Sequence, residues 1–173
     1  MSDTLNRLHR ISGYAGVVAK VIMAFLIIAV IAAAVMLAAV SADLEPIAEG
    51  LAEETEFTKG DVQAAALNAI VAGLAGIMIM YVVNRLFTNI HKRNALFTDD
   101  NVRDLRTISL MLVVSAIAIT IVSVLTIVFL LDTTDIVVGF NPLAMLLAAF
   151  IVYIMSLIFS YGTELQKQSD ETL

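Results

Sequence analysis

Four stretches of the chain carry no charge for 20 or more residues: Val21 to Val40, Val62 to Asn84, Thr107 to Leu131 and Ile136 to Thr163. Each is long enough to cross the roughly 30 Å hydrocarbon core of a bilayer as an α-helix. A water-soluble fold of 173 residues could not hide four helices that are apolar on every face. The sequence therefore predicts an all-α integral membrane bundle of four transmembrane helices in a single domain. The spans fall at about 16–40, 62–86, 107–131 and 136–161. The 60% hydrophobic content and mean hydropathy of +0.94 agree, since soluble domains average about 45–50% apolar residues.

Lysine and arginine loops set the orientation of such a chain. Arg7, Arg10 and Lys20 precede the first apolar run. Arg85, Lys92, Arg93, Arg103 and Arg106 flank or fill the connection between spans two and three, and Lys167 lies in the tail. These segments alternate onto one side and hold nine of the ten basic residues; only Lys59 falls on the other. Both termini are expected in the cytoplasm (N-in/C-in), with a cytoplasmic loop at 87–106, a cytoplasmic tail at 162–173 and an acidic outer loop at 41–61. A basic front before Val21 and the small residues Val40-Ser41-Ala42 resemble a signal peptide. A signal core is about 7–15 residues, shorter than this run, so retention as a first helix is the expectation.

The outer loop carries Asp43, Glu45, Glu49, Glu53, Glu54, Glu56 and Asp61. Ile47, Ala48 and Leu51 within it fall at helical spacing and predict a short surface helix. Thr58 followed by Asp61 predicts a capping box opening the second span. The connection Asp132 to Asp135 is so short that spans three and four must be adjacent and antiparallel. Asn84 to Arg93 extends the second helix, Asn94 to Phe97 breaks it, and Thr98-Asp99-Asp100-Asn101 starts the next. Val102, Leu105 and Ile108 then form an apolar stripe leading into span three, and Asn141-Pro142 opens span four.

Small residues must hold such helices together, because lipid gives no hydrophobic drive for their association. Ala69, Gly73 and Gly76 are the candidate packing positions of span two. They suit packing within the chain first, and a homo-oligomer seam second. Thr120, Ser123 and Thr126 share a broad face of span three and read as helix–helix glue before they read as a polar path.

No ionisable residue lies inside the four runs, which argues against proton-coupled transport through a membrane carboxylate. Cysteine is absent and the two histidines, His9 and His91, form no motif, so thiol chemistry and thiolate metal sites are excluded. No phosphate-binding loop, zinc helix or nucleophile elbow is present. Catalytic residues, cofactors and metals are therefore expected to be none. A net charge of −6 argues against direct nucleic-acid binding. Membrane lipid is the one partner the composition demands. The acidic outer loop lacks the rhythm of a calcium loop and reads as solvated before it reads as a cation or peptide site.

Two segments carry a family resemblance. Leu96-Phe97-Thr98-Asp99-Asp100-Asn101-Val102-Arg103-Asp104-Leu105-Arg106 joins spans two and three, and the chain ends in Tyr161-Gly162-Thr163-Glu164-Leu165-Gln166-Lys167-Gln168-Ser169-Asp170-Glu171-Thr172-Leu173. With four spans in this length, the chain resembles a family of small bacterial inner-membrane proteins catalogued only as a domain of unknown function, over nearly its whole length. Gln168 departs from the acidic residue expected there. Genes of the family often lie beside one for a small helix-turn-helix regulator. The resemblance implies a signalling or regulatory partnership in the inner membrane, and the candidate surface for a cytoplasmic regulator protein is Phe97, Thr98, Asn101, Arg103, Arg106, Tyr161, Gly162, Gln166 and Asp170. The two segments should meet, with Lys92, Arg93, Arg103 and Arg106 pairing with Glu164, Asp170 and Glu171. A non-enzymatic regulatory or sensory role is the leading expectation. A transporter or channel component, and an immunity-type protein against a cationic membrane-active peptide, are the alternatives.

Overall fold

The computed structural model of the chain describes residues 2–42, 58–93, 95–130 and 141–171. The surface helix expected around Ile47 to Leu51 and the Asp132–Asp135 turn lie outside the described residues. The protein is all-α. Helix α1 spans Ser2–Ser41, α2 Lys59–Arg93, α3 Asp99–Leu130 and α4 Pro142–Glu171. All four are long and apolar enough to cross a membrane.

Local chemistry sets the helix starts. The Thr58 amide donates to Asp61 Oδ2 at 2.8 Å and the Asp61 amide donates back to Thr58 Oγ1 at 3.3 Å, a reciprocal capping box. Thr98 caps α3 by accepting the Asn101 amide at 3.3 Å. Asn141 caps α4 by accepting the Leu143 amide at 3.0 Å, with Pro142 in the first turn, where a missing N–H is harmless. The fourth helix thus begins at Pro142, and it runs to Glu171, beyond the expected end of the span at 161. Once started, a helix satisfies its own backbone in water or lipid, so it need not end at the membrane edge.

Helix packing is mainly sequential: α1 lies on α2, α2 on α3 and α3 on α4. Every neighbouring pair is antiparallel. Gly13 meets His91 and Gly73 meets Val30 across α1 and α2. Arg85 meets Asp104 and Asn68 meets Ser123 across α2 and α3. Ser109 bonds Ala149, and Asp99 bonds Lys167, across α3 and α4. The start of α1, the end of α2, the start of α3 and the end of α4 therefore share one end of the molecule. This basic end holds the core: Ile79, Val82, Leu86 and Ile90 of α2 pack on Leu105 and Ile108 of α3, with Val152 and Phe159 of α4 against them.

Helix α1 is the outlying member. Among its shielded positions are Ser12, Gly16, Ala19, Met23, Leu26, Val30, Ala33, Leu37 and Val40. They alternate by four and three residues, a seven-residue repeat that keeps one narrow seam on a partner helix. Away from that seam Val21, Phe25, Ile28 and Val35 are exposed. In water such a surface would aggregate; in a bilayer it is the surface that lipid requires.

Gly73 and Gly76 form the other half of that seam. A Cβ on Gly73 would strike Cγ2 of Val30, and one on Gly76 would stand 3.0 Å from Cδ1 of Leu26. Ala69 is exposed, although it stands four residues from Gly73 and so shares its helical face. Val30 is β-branched and nearly fixed at χ1 in a helix, whereas the leucine tip on Gly76 can yield. Gly73→Ala should thus loosen α1 by about 1 kcal/mol, toward the low end of overpacking costs. Gly76→Ala should be nearly silent, and Val30→Ala should restore Gly73→Ala. Thermal unfolding in detergent checks all three.

Candidate functional site

The site is built at the basic end, where α2 stops, the chain turns through residues 95–98, and α3 begins. Its hub is the first turns of α3. Three carboxylates there are each held by a cation from another element. Asp99 accepts from Lys167 of α4 at 3.0 Å, Asp100 pairs with Arg93 of α2 at 2.7 Å, and Asp104 pairs with Arg85 of α2. Their energies differ greatly. The first two pairs are more than half exposed on both sides and contribute about 0–1 kcal/mol each. The third is asymmetric: the Asp104 side chain is 2% exposed and that of Arg85 47%. Arg85 Nε reaches both carboxylate oxygens, at 3.0 and 3.2 Å, and Nη2 adds a further bond to Oδ1. This two-nitrogen grip fixes orientation as well as charge.

Asn101 sits beneath the turn with no solvent exposure. Its Nδ2 donates to the carbonyls of Leu96 at 2.8 Å and Ala95 at 3.3 Å. It thereby closes the chain between two helices, satisfying carbonyls that a sharp break would leave bare. Asn101 is thus an internal brace of the site. Its Oδ1 is buried without a hydrogen-bond partner among the described residues.

Above this brace, Phe97 leans over the end of α4. Its ring lies on Gly162 so closely that a Cβ there would come within 2.7 Å of Cε1 and 2.9 Å of Cγ. Phe159 holds the same ring from one turn earlier, at 5.3 Å between centroids and 60° between planes, a tilted pairing that aromatic quadrupoles favour. Beside the ring an open cleft is lined by Arg93, Phe97, Thr98, Asp99, Thr163, Gln166 and Lys167, among others. Beyond Thr163 the described side chains of α4 are exposed, Leu165 and Gln166 included.

The residues expected to form one surface divide three ways. Phe97, Thr98, Gly162 and Gln166 come together at the cleft. Asn101 lies beneath it. Arg103, Arg106 and Tyr161 are exposed and are not among its lining residues. The side chain of Asp170 lies outside the described residues. Among the described side chains the charge pairing is the reverse of the expected one: the tail gives the cation, Lys167, and the α3 start gives the acid, Asp99. Lys167 shares a helical face with buried Thr163, four residues earlier, while Glu164 is turned about 100° away. Asp104 was the residue that sequence reasoning missed. It shares a helical face with Asn101 and Ile108, three residues before and four after it, so its burial, and its need for a cation, could be read from that spacing.

Within the membrane the hydroxyls of Thr120, Ser123 and Thr126 on α3 are engaged. Thr120 donates to the carbonyl of Ala116 at 2.8 Å and Thr126 to that of Val122 at 2.7 Å. Ser123 donates to Asn68 Oδ1 at 2.8 Å, and Asn68 Nδ2 donates to the carbonyl of Ala64 at 3.0 Å. The cross-helix bond joins α2 to α3 far from the basic end.

Four apolar antiparallel helices with a polar hub at one end define a multi-pass α-helical membrane protein. The chain belongs to the family described as "Protein of unknown function (DUF2975)", which matches residues 47–173. The match takes in α2, α3 and α4 and leaves α1 outside, where the resemblance was expected over nearly the whole chain. No curated protein and no solved structure matches the chain.

Proposed function

We propose that this is a non-enzymatic regulatory or sensory protein of the bacterial inner membrane, with both termini cytoplasmic. Its working surface is the cleft between the α2–α3 turn and the end of α4, and its partner is a soluble cytoplasmic protein. One observation carries this reading: segments far apart in sequence, around Phe97 and around Gly162, are built to fit each other beside an open polar cleft. Plain topology would need only scattered cations there. The segregation of nine of ten basic residues supports the orientation. Transport draws less support, since Thr120, Ser123 and Thr126 are each bonded within the helices. A homo-oligomer through Gly73 and Gly76 would have to displace α1, which covers them.

A photo-crosslinking residue placed at Gln166 in living cells tests the reading. It should capture a soluble protein, and the yield should fall when Phe97→Ala is added. Capture of membrane proteins alone, from Gln166 and from Thr98 alike, overturns it.

A further inference from the structure

The outward face of α3 is a single stripe from water into the membrane. Asp99 and Asp100 stand at its tip, then Arg103 and Arg106, then Leu110, Val114, Ile117, Ile121, Val124 and Val128, all exposed. The spacing of three and four residues keeps them on one face. From Leu110 to Val128 the rise is about 27 Å, close to the roughly 30 Å hydrocarbon thickness. Arg106 lies about 6 Å before Leu110, so both guanidiniums stand at headgroup level.

Among the described residues these two charges have no acidic partner. The acids nearest in sequence are taken, Asp99 by Lys167, Asp100 by Arg93 and Asp104 by Arg85. Neither Arg103 nor Arg106 has a side-chain partner among the described residues. A pair of planar donors one helical turn apart suits a phosphate diester, which guanidinium binds through paired N–H groups. The apolar stripe directly below suits acyl chains. A soluble acidic protein would have to enter the headgroup layer to reach the same atoms.

We infer that Arg103 and Arg106 form a binding site for an anionic phospholipid whose chains lie along the outer stripe of α3. The site is independent of the partner cleft, because both arginines lie outside its lining. Its occupant is a resident of the same leaflet as the basic end of the molecule.

The full chain, reconstituted in mixed phosphatidylglycerol and phosphatidylcholine vesicles and extracted in mild detergent, gives the test by native mass spectrometry. Phosphatidylglycerol should be retained in preference to phosphatidylcholine. Arg103→Gln with Arg106→Gln should lower that preference on the order of tenfold, given the worth of each basic residue at an anionic surface. Arg103→Lys with Arg106→Lys should keep part of it, and Arg10→Gln with Lys20→Gln on α1 should keep nearly all. Unchanged preference in the double Gln variant overturns the inference. So does an equal loss from the α1 variant, which would mean diffuse attraction without a site. Helical circular dichroism identical to the parent's shows that the variants remain folded.

Discussion

Replacing Arg85 by Ala should destabilise the protein by about 3 kcal/mol, the lower end of the cost of breaking a buried ion pair. The reason is the asymmetry of the pair. Asp104 is almost wholly enclosed and cannot recover its lost partner from solvent, whereas nearly half of the arginine side chain is in contact with the surroundings. Asp104→Ala should therefore cost less, about 1 kcal/mol, because the guanidinium it leaves behind can still be hydrated or meet headgroups. A pair valued only by its mutual attraction would give equal losses from either side. Denaturant unfolding in detergent, with both single variants and the double, separates the two cases. In the double variant the stranded acid is gone, so its loss should be well below the sum of the singles.

Gly162→Ala is expected to act on the site with less effect on the fold. The added methyl group must enter the volume held by Cδ1, Cε1 and Cγ of Phe97. Phe97 lies in a turn and is partly exposed, so it can leave at a cost near the 1–3 kcal/mol of overpacking. Once the ring is gone, the Lys167–Asp99 pair still joins the start of α3 to the end of α4, but it is exposed, and such pairs contribute little. Cysteines at Thr98 and Gln166 should then crosslink much more slowly than in the parent. Lys167→Ala alone should barely change the rate. If Lys167→Ala matches the effect of Gly162→Ala, charge and not packing holds the clasp. Adding Phe97→Ala to Gly162→Ala should recover stability without recovering the crosslink.

Much of this architecture is legible in the residues themselves. Uncharged runs of membrane length give the four helices, and Thr58, Thr98 and Asn141 mark three helix starts through their side-chain oxygens. Val102, Leu105 and Ile108 announce the buried face of α3 by their spacing. The limits are equally physical. Helix ends depend on where hydrogen bonding stops being favourable, which hydropathy does not report, so α4 outran its expected span. Ala69 and Gly73 look alike as small residues four apart, and only the position of α1 shows which is covered. At the site, the meeting of Phe97 with Gly162 is a matter of three-dimensional register between distant segments. Sign matching alone pointed to Glu164 and not to Lys167 as the tail's charge toward the loop, because it ignores which face of α4 each charge occupies.

The neighbour-by-neighbour packing of the helices bears on how the chain is made. Each hairpin finds its mate in the segment synthesised just before it, so no helix has to wait in the bilayer for a remote partner. The closures are short-range in sequence, the regime in which assembly is quick and mispairing rare. A nascent chain paused after α2 should already hold its first hairpin, zipped along Gly73 and Val30, while the polar hub still lacks its acids.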